Sequence, residues 1–206
     1  MTNLYHSVSL FHPKVPVFSY NLKKRRKDDA YKEFNKNYKN YVKAYNLFID
    51  FDADWNWKKA LEDVKQVKKI FDEYKIPYYV LNSSYKGFHI HIPAEYMPNK
   101  NILELIEDIN EVIYNLKGVH NLETIDTSII DLKRVCKIPY SFVSDGSICL
   151  PLSDEQLENY HPNLVKMENV LKYVKIKNRG ILLRTHNLSD NQLRQNILKF
   201  IEDYLE

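Results

Sequence analysis

The sequence predicts an α+β fold, and two hydrophobic patterns lead to that prediction. Over short stretches apolar residues alternate with polar ones, as in half-buried strands, and over longer stretches they recur every three or four residues, as in amphipathic helices. These patterns follow one another as strand, helix, hairpin and helix, with no repeat or low-complexity linker between them. We therefore expect one α+β domain over residues 1–206, either complete or part of a longer protein, in which helices flank a mixed or antiparallel sheet.

The composition is that of an ordinary globular protein, with 44% hydrophobic and 28% charged residues. No apolar run approaches the roughly 20 residues of a membrane span, and the N-terminus lacks the layout of a signal peptide. We therefore expect a cytoplasmic protein with no membrane partner. Cys136 and Cys149 are too few for a zinc quartet by themselves, so we expect two reduced, buried thiols and no zinc.

The strand predicted over residues 46–54 carries the most informative pattern in the chain. One face has Leu47, Ile49 and Phe51, and the other has Phe48, Asp50, Asp52 and Asp54. Because side chains two apart on a strand are offset by about 6.6 Å, Asp50 and Asp52 can bind the same one or two cations. Hard oxygen ligands favour Mg²⁺ or Mn²⁺, which hold polyphosphates during phosphoryl transfer. The alternative is an edge strand with a polar face.

The elements that follow are predicted from periodicity and from turn and capping residues. They are a helix over 60–74 that stops before Pro77, strands over 78–81 and 88–92, a helix over 102–116 ended by Gly118, a strand entered at Asp126, and a hairpin turning at 144–146. Capping boxes, Ser153 with Gln156 and Ser189 with Gln192, predict two further helices.

The turn between the two hairpin strands has the composition of an anion site. Ser83, Ser84 and Lys86 precede a glycine that lets the backbone approach a phosphate, and His89 follows on the next strand. His91 projects from the same face as His89, and for either histidine the alternative is a hydrogen-bonded core residue. Farther on, Arg134 and Lys137 are spaced three apart before a proline, which suits two cations that contact a triphosphate or a primer strand.

Basic charge is concentrated between residues 22 and 43. Nine Lys or Arg against three acids give this segment a charge of +6 and leave −3 for the remainder. An aromatic stripe at helical spacing runs through it, formed by Tyr31, Phe34, Tyr38 and Tyr41. The stripe predicts either a docked amphipathic helix with a solvated basic face or a nucleic-acid contact. The residues best placed to touch phosphates precede the helix: Lys23, Lys24, Arg25, Arg26 and Lys27.

The order of these motifs resembles the archaeo-eukaryotic primase superfamily. That family has an acid pair on a strand, a Ser-Gly-basic-basic-Gly-x-His turn, and a later lone aspartate followed by a basic-x-Pro-x-Ser segment. The matching residues here, within 47–152, are Asp50, Asp52, Ser83, Lys86, His89, Asp126, Lys137, Pro139 and Ser141.

The resemblance implies a two-lobed primase-polymerase core that synthesises and extends primers on single-stranded DNA from ribo- or deoxynucleoside triphosphates. Two Mg²⁺ or Mn²⁺ ions would be bound by Asp50, Asp52 and Asp126. The triphosphate would be bound by Ser83, Ser84, Lys86, His89, Arg134, Lys137 and Ser141. A fused or associated helicase or accessory domain is an implied partner.

The chain departs from the family pattern at two positions. Tyr85 stands where a basic residue is common, which weakens a phosphate contact or adds a stacking surface for a base. Val143 stands where a histidine is common, so one phosphate contact is either missing or supplied by another residue such as Arg134 or Arg184. Asp131 competes with Asp126 as the third carboxylate.

Two other functions remain open. His89-Ile90-His91 also matches the metal motif of rolling-circle replication endonucleases, for which Tyr114 or Tyr173 would be the nucleophile. That function leaves the three aspartates unexplained. The second alternative is a nucleic-acid-binding module that keeps the fold without chemistry.

Overall fold

A computed structural model describes residues 5–7, 9–11, 13–14, 28–54, 56–129, 135–173 and 183–205. Its strands are β1 (Tyr5–Ser7), β2 (Ser9–Phe11), β3 (Val42–Tyr45), β4 (Leu47–Asp52), β5 (Tyr79–Asn82), β6 (Gly87–Ile92), β7 (Val135–Lys137) and β8 (Pro151–Leu152). Its α-helices are α1 (Asp29–Asn37), α2 (Trp57–Tyr74), α3 (Ile102–Val119), α4 (Asp154–Glu158), α5 (Met167–Tyr173) and α6 (Asp190–Leu205). This combination of helices and antiparallel strands confirms the α+β prediction. None of the described helices has the length and hydrophobicity that a bilayer crossing needs.

The largest sheet is antiparallel throughout, with the strand order β4-β6-β5-β8. β5 and β6 form the predicted hairpin, in which Leu81 lies opposite His89. β4 pairs with the other side of β6, so the strand that carries the acid pair lies directly beside the second hairpin strand. Two smaller antiparallel sheets join β1 with β7 and β2 with β3.

Both faces of the main sheet are covered. Val80 of β5 belongs to the main hydrophobic cluster. In the same cluster the rings of Phe71 in α2 and Phe200 in α6 lie 5.4 Å apart. The neighbours of Val80 point to the opposite face because side chains alternate along a strand. They belong to a second, smaller cluster formed by Tyr79, Leu81, Val143 and Cys149. Val143 and Cys149, from the segment that follows β7, therefore pack on the face of the sheet opposite Val80.

The end of α3 differs from the prediction. The helix continues through Gly118 to Val119, so the expectation that Gly118 ends it was wrong. The residue that adopts the left-handed conformation after the helix is Asn121, with φ 52°. Asparagine tolerates this conformation better than most side chains do. α2 ends at Tyr74, and the next residue, Lys75, is also left-handed, with φ 55°. Lys75 lies two residues before Pro77, the proline expected to stop this helix.

The strand expected at Asp126 is also absent from the described residues. Ile125 forms only an isolated bridge with Phe51, and Thr127–Ile129 forms a 3-10 helix. The cause is local: the N–H and Oγ of Ser128 donate to Oδ1 of Asp126 at 2.9 and 2.6 Å. Such side-chain bonds favour a turn over a strand ladder.

The predicted capping boxes and the aromatic stripe are both observed. Ser153 and Gln156 cap α4, and Ser189 and Gln192 bond reciprocally at the start of α6. The stripe of α1 docks on β2, since the ring centroids of Phe34 and Phe11 are 5.5 Å apart. This contact favours a docked amphipathic helix, which ends at Asn37 and continues as a 3-10 helix over Tyr38–Tyr41.

Cys136 and Cys149 are both buried, as predicted, and they form no disulfide. Burial raises the pKa of each thiol to about 12, so at about pH 8 very little thiolate, the reactive form, is present. We expect iodoacetamide to leave both cysteines unmodified in the folded protein and to modify both after unfolding in urea. Mass spectrometry counts the labels, and rapid modification of the folded chain would contradict this expectation.

Candidate nucleotide and metal site

The acid pair of β4 lies opposite the start of β6. In the antiparallel register Asp50 is opposite His89, and Asp52 is opposite Gly87. Oδ1 of Asp50 is 3.4 Å from Nε2 of His89, and Oδ1 of Asp52 is 3.4 Å from Nζ of Lys86. Each carboxylate therefore contacts a basic side chain supplied by the hairpin.

The turn that joins β5 to β6 is fixed by hydrogen bonds and by a close backbone approach. The N–H of Ser83 donates to the Gly87 carbonyl at 2.8 Å, and the N–H of Lys86 donates to Oγ of Ser84 at 3.3 Å. A Cβ at Gly87 would lie 2.5 Å from Oγ of Ser83 and 3.1 Å from the carbonyl oxygen of Phe51. Any larger residue at this position would force the Ser83 side chain or the turn itself to move.

The segment from β7 onward closes the site from a third side. Nζ of Lys137 donates to the carbonyl oxygen of Ser83. The carboxylate of Asp145 accepts a hydrogen bond from the N–H of Tyr85 at 3.3 Å, and its other oxygen accepts from the N–H of Ser147 at 2.9 Å. The turn at 83–87 is therefore attached at two points to residues 135–150, the covering segment of the site.

These elements surround a cavity of about 380 Å³. Of the residues predicted to bind metal or nucleotide, seven line this cavity: Asp50, Asp52, Ser83, Ser84, Lys86, His89 and Lys137. Carboxylates, hydroxyls and cationic groups from three separate stretches of sequence thus line one cavity that is open to solvent.

His89 and His91 project from the same face of β6 into different surroundings. His89 lines the cavity, and its buried Nδ1 has no hydrogen-bond partner within the described part of the chain. The ring of His91 is fully buried and stacks between Tyr79, at 4.8 Å, and Phe48, at 5.6 Å between centroids. His89 is therefore a cavity residue and His91 a core residue.

Asp126 reaches the acid pair through its backbone. The N–H of Asp126 donates to the Asp50 carbonyl at 3.0 Å. Thr124, two residues before Asp126, accepts a hydrogen bond at its carbonyl from the N–H of Asp52 at 2.9 Å. The Asp126 side chain is bonded to Ser128 and is not among the cavity-lining residues. The backbone of Asp126 therefore lies beside β4, while its carboxylate is hydrogen-bonded to Ser128.

The remaining predicted residues are not brought together in the cavity. Ser141 is buried and lies outside the lining residues. Tyr85 is tied to the covering segment through its N–H. Val143, at the place where the resembled family has a histidine, contributes an apolar side chain to the lining. Those outside the described residues are Arg134, Asp131, Lys23, Lys24, Arg25, Arg26 and Lys27.

Asn82 is a positioning residue that the sequence analysis missed. Its fully buried side chain donates to the Ile148 carbonyl at 3.0 Å and accepts from the N–H of Leu150 at 2.6 Å. These bonds attach the end of β5 to the covering segment just before the serine turn begins. The sequence feature that could have indicated this role is the position of Asn82, a polar residue at the end of an apolar strand and directly before Ser83 and Ser84.

The donor set of the cavity suits a hard divalent cation. Asp50 and Asp52 supply carboxylate oxygens from side chains that are 19% and 51% exposed. Within the described ranges no three His, Cys, Asp or Glu side chains are arranged to hold one metal ion. Mg²⁺ in phosphoryl-transfer sites is bound through one or two carboxylates, with phosphates and waters as its other ligands. The residues present fit that arrangement.

The chain is similar to proteins of two kinds, and no family model matches it. It is 25% identical over 178 residues to an uncharacterized protein of Methanocaldococcus jannaschii, in a match that covers 78% of this chain. It is also similar to the solved polymerase domain of Mycobacterium tuberculosis ligase D in complex with DNA. That match has a TM-score of 0.45 and 14% identity, and it covers 64% of this chain. The chain spans 39% of the length of the first protein and 52% of the second.

Proposed function

We propose that this protein is a template-directed nucleotidyltransferase that synthesises and extends primers on single-stranded DNA from nucleoside triphosphates. One observation carries the proposal: the acid pair and the predicted phosphate-binding groups line the same cavity of about 380 Å³. Phosphoryl transfer requires such a combination, because carboxylate-bound cations and nearby basic groups together neutralise the charge that develops on the phosphate. The ordered resemblance to the primase superfamily supports the same reaction.

Lys86, His89 and Lys137 would bind the triphosphate. Lys86 contacts Asp52 in a pair whose side chains are 31% and 51% exposed, and exposed pairs contribute little. Lys86 can therefore turn to a phosphate at small cost. His89 lines the same cavity, and its ring would bond a phosphate oxygen there. Lys137 adds positive charge while its bond to Ser83 fixes the turn.

Asp50, Asp52 and Asp126 would hold two Mg²⁺ or Mn²⁺ ions, which supply charge neutralisation at the α-phosphate and alignment for the attacking 3'-hydroxyl. Asp50 and Asp52 line the cavity, whereas Asp126 does not, and its Oδ1 accepts two hydrogen bonds from Ser128. We therefore expect activity to depend more strongly on Asp50 and Asp52 than on Asp126.

The template is proposed to be single-stranded DNA, bound by the basic run at residues 23–27 through its phosphates and by Tyr85 through a base. A helicase or other accessory domain, fused or associated, belongs to the same proposal. Ser84, Arg134 and Ser141 are proposed as further contacts to the nucleotide.

The structure disfavours the rolling-circle endonuclease. That enzyme would need His89 and His91 to share a cation, but the His91 ring is stacked between two aromatic rings in the core. Binding of a cation there would require the stack to open, whereas the nucleotidyltransferase uses His89 alone.

Primer synthesis on an unprimed single-stranded circle tests the proposal. Labelled ribo- or deoxynucleotides are supplied with Mn²⁺ or Mg²⁺, and the products are resolved on a denaturing gel. We expect metal-dependent oligonucleotides from the wild type and none from the double variant Asp50→Asn/Asp52→Asn. Asparagine keeps the size of each side chain, so the double variant removes charge with little change in packing.

Two results would overturn the proposal. If the wild type neither makes primers nor extends a supplied one, the polymerase function is wrong. DNA binding without products would then indicate the non-catalytic module, and nicking of single-stranded DNA that depends on His91 would indicate the endonuclease. If the double variant is as active as the wild type, the chemistry lies elsewhere in the chain.

A further inference from the structure

Asp63 of α2 is a buried carboxylate that the proposed reaction does not use. It is 6% exposed, and its Oδ2 accepts two hydrogen bonds from Thr124, one from the N–H and one from Oγ1, both at 2.8 Å. A buried carboxylate without such partners is strongly unfavourable. The two bonds therefore fix where Thr124 lies relative to α2.

Thr124 is in turn bonded to the acid strand. Its carbonyl accepts from the N–H of Asp52 at 2.9 Å, and Asp126, two residues later, donates its N–H to the Asp50 carbonyl at 3.0 Å. Hydrogen bonds and the short main chain from Thr124 to Asp126 thus join Asp63 to the backbone of both cavity carboxylates. The same path sets the position at which Asp126 meets β4.

One face of α2 contacts residues 120–124 at three points. Lys59, Asp63 and Gln66 follow one another at spacings of four and three, and their contacts all reach residues 120–124. The Lys59 contact is an ion pair with Glu123 at 2.6 Å whose side chains are 36% and 70% exposed, so it contributes little. The Asp63 contact is the buried one of the three.

We propose that Asp63 is a positioning residue for the metal-binding carboxylates. By holding Thr124, it fixes the chain that borders Asp50 and Asp52 and presents Asp126 to them. This inference rests on the proposed function, because it assigns Asp63 to the metal site of that reaction. Asp63 touches no reactant, and its effect passes through Thr124.

Direct titration with Mn²⁺, followed by electron paramagnetic resonance, tests this role without relying on activity. We expect Asp63→Ala to weaken Mn²⁺ binding about 10-fold or more, in the range found when groups behind metal ligands are removed. Asp63→Asn should restore most of the affinity, since its amide oxygen can accept both bonds from Thr124. Gln66→Ala, on the same helix face, is the matched control and should bind Mn²⁺ as the wild type does. In steady-state assays Asp63→Ala should lower kcat and leave the nucleotide KM nearly unchanged.

The outcomes separate the inference from the function on which it rests. A wild type that shows no Mn²⁺ binding sensitive to Asp50→Asn contradicts the proposed metal site itself. If that binding is present but Asp63→Ala binds Mn²⁺ as tightly as the wild type, the positioning role is wrong. Should Asp63→Ala fail to fold, Thr124→Val removes only the hydroxyl donor and is expected to weaken Mn²⁺ binding in the same direction. Unchanged binding by that variant would equally overturn the role.

Discussion

Replacing Asp50 by asparagine is expected to lower kcat for nucleotide incorporation by about 10³-fold, comparable to removing a main electrostatic contact of a transition state. Asp50 lines the cavity, and its side chain, 19% exposed, is the more buried of the acid pair. The variant keeps the shape of the side chain and loses the charge that would hold a cation against the α-phosphate. The nucleotide KM should change only a few-fold, because Lys86, His89 and Lys137 remain. Single-turnover incorporation with excess enzyme measures the chemical step directly.

Asp54→Asn provides the matched control for this substitution. Asp54 belongs to the same run of acids, but its side chain is fully exposed and does not line the cavity, and its contact with Nζ of Lys86 at 4.0 Å is an exposed one that contributes little. Its backbone has φ 48°, a conformation that asparagine adopts readily. We expect Asp54→Asn to retain the activity and stability of the wild type. Equal losses from both variants would mean that general charge, rather than the cavity, determines activity.

Local patterns in the sequence were sufficient to predict β4 and the β5–β6 hairpin, but they did not predict β7, which also lines the cavity. Alternation identified β4, and the serine-glycine turn between two apolar runs identified the β5–β6 hairpin. These features depend on neighbours along the chain, so periodicity reports them directly. The pairing of β4 with β6, which places Asp50 opposite His89, depends on residues about forty positions apart and has no local signal.

The residues that fix the site from a distance could not be predicted for the same reason. Asn82 and Asp63 read as an ordinary strand end and an ordinary helix residue, and only the fold reveals that both are buried and hydrogen-bonded to distant backbone. The strand expected at Asp126 was wrong because a side-chain bond to Ser128 outcompeted strand pairing. Ser141 matched a motif but lies buried outside the cavity lining.

Two glycine-to-alanine substitutions are expected to change stability in opposite directions. At Gly87 the added Cβ would lie 2.5 Å from Oγ of Ser83 and 3.1 Å from the backbone oxygen of Phe51. Relief requires Ser83 to turn away or the turn to separate from β4, at a cost of about 1–3 kcal/mol, typical of overpacking. At Gly118, inside α3, nothing lies within 4 Å of the added Cβ. Alanine there should stabilise the protein by about 0.5–1 kcal/mol, since glycine is the poorer helix former.

The activities of the two variants should differ even more than their stabilities. Gly87 lies opposite Asp52 in the register and bonds Ser83 through its carbonyl, so a shift there moves both the acid pair and the phosphate-binding turn. Misplacement of reacting groups by about 1 Å can cost about 10²-fold in rate, and we expect a loss of that size in kcat/KM for Gly87→Ala. Gly118→Ala should be as active as the wild type. Urea unfolding and nucleotide incorporation measure the two effects separately. A Gly87→Ala variant that is less stable yet fully active would place the nucleotide away from the turn at 83–87.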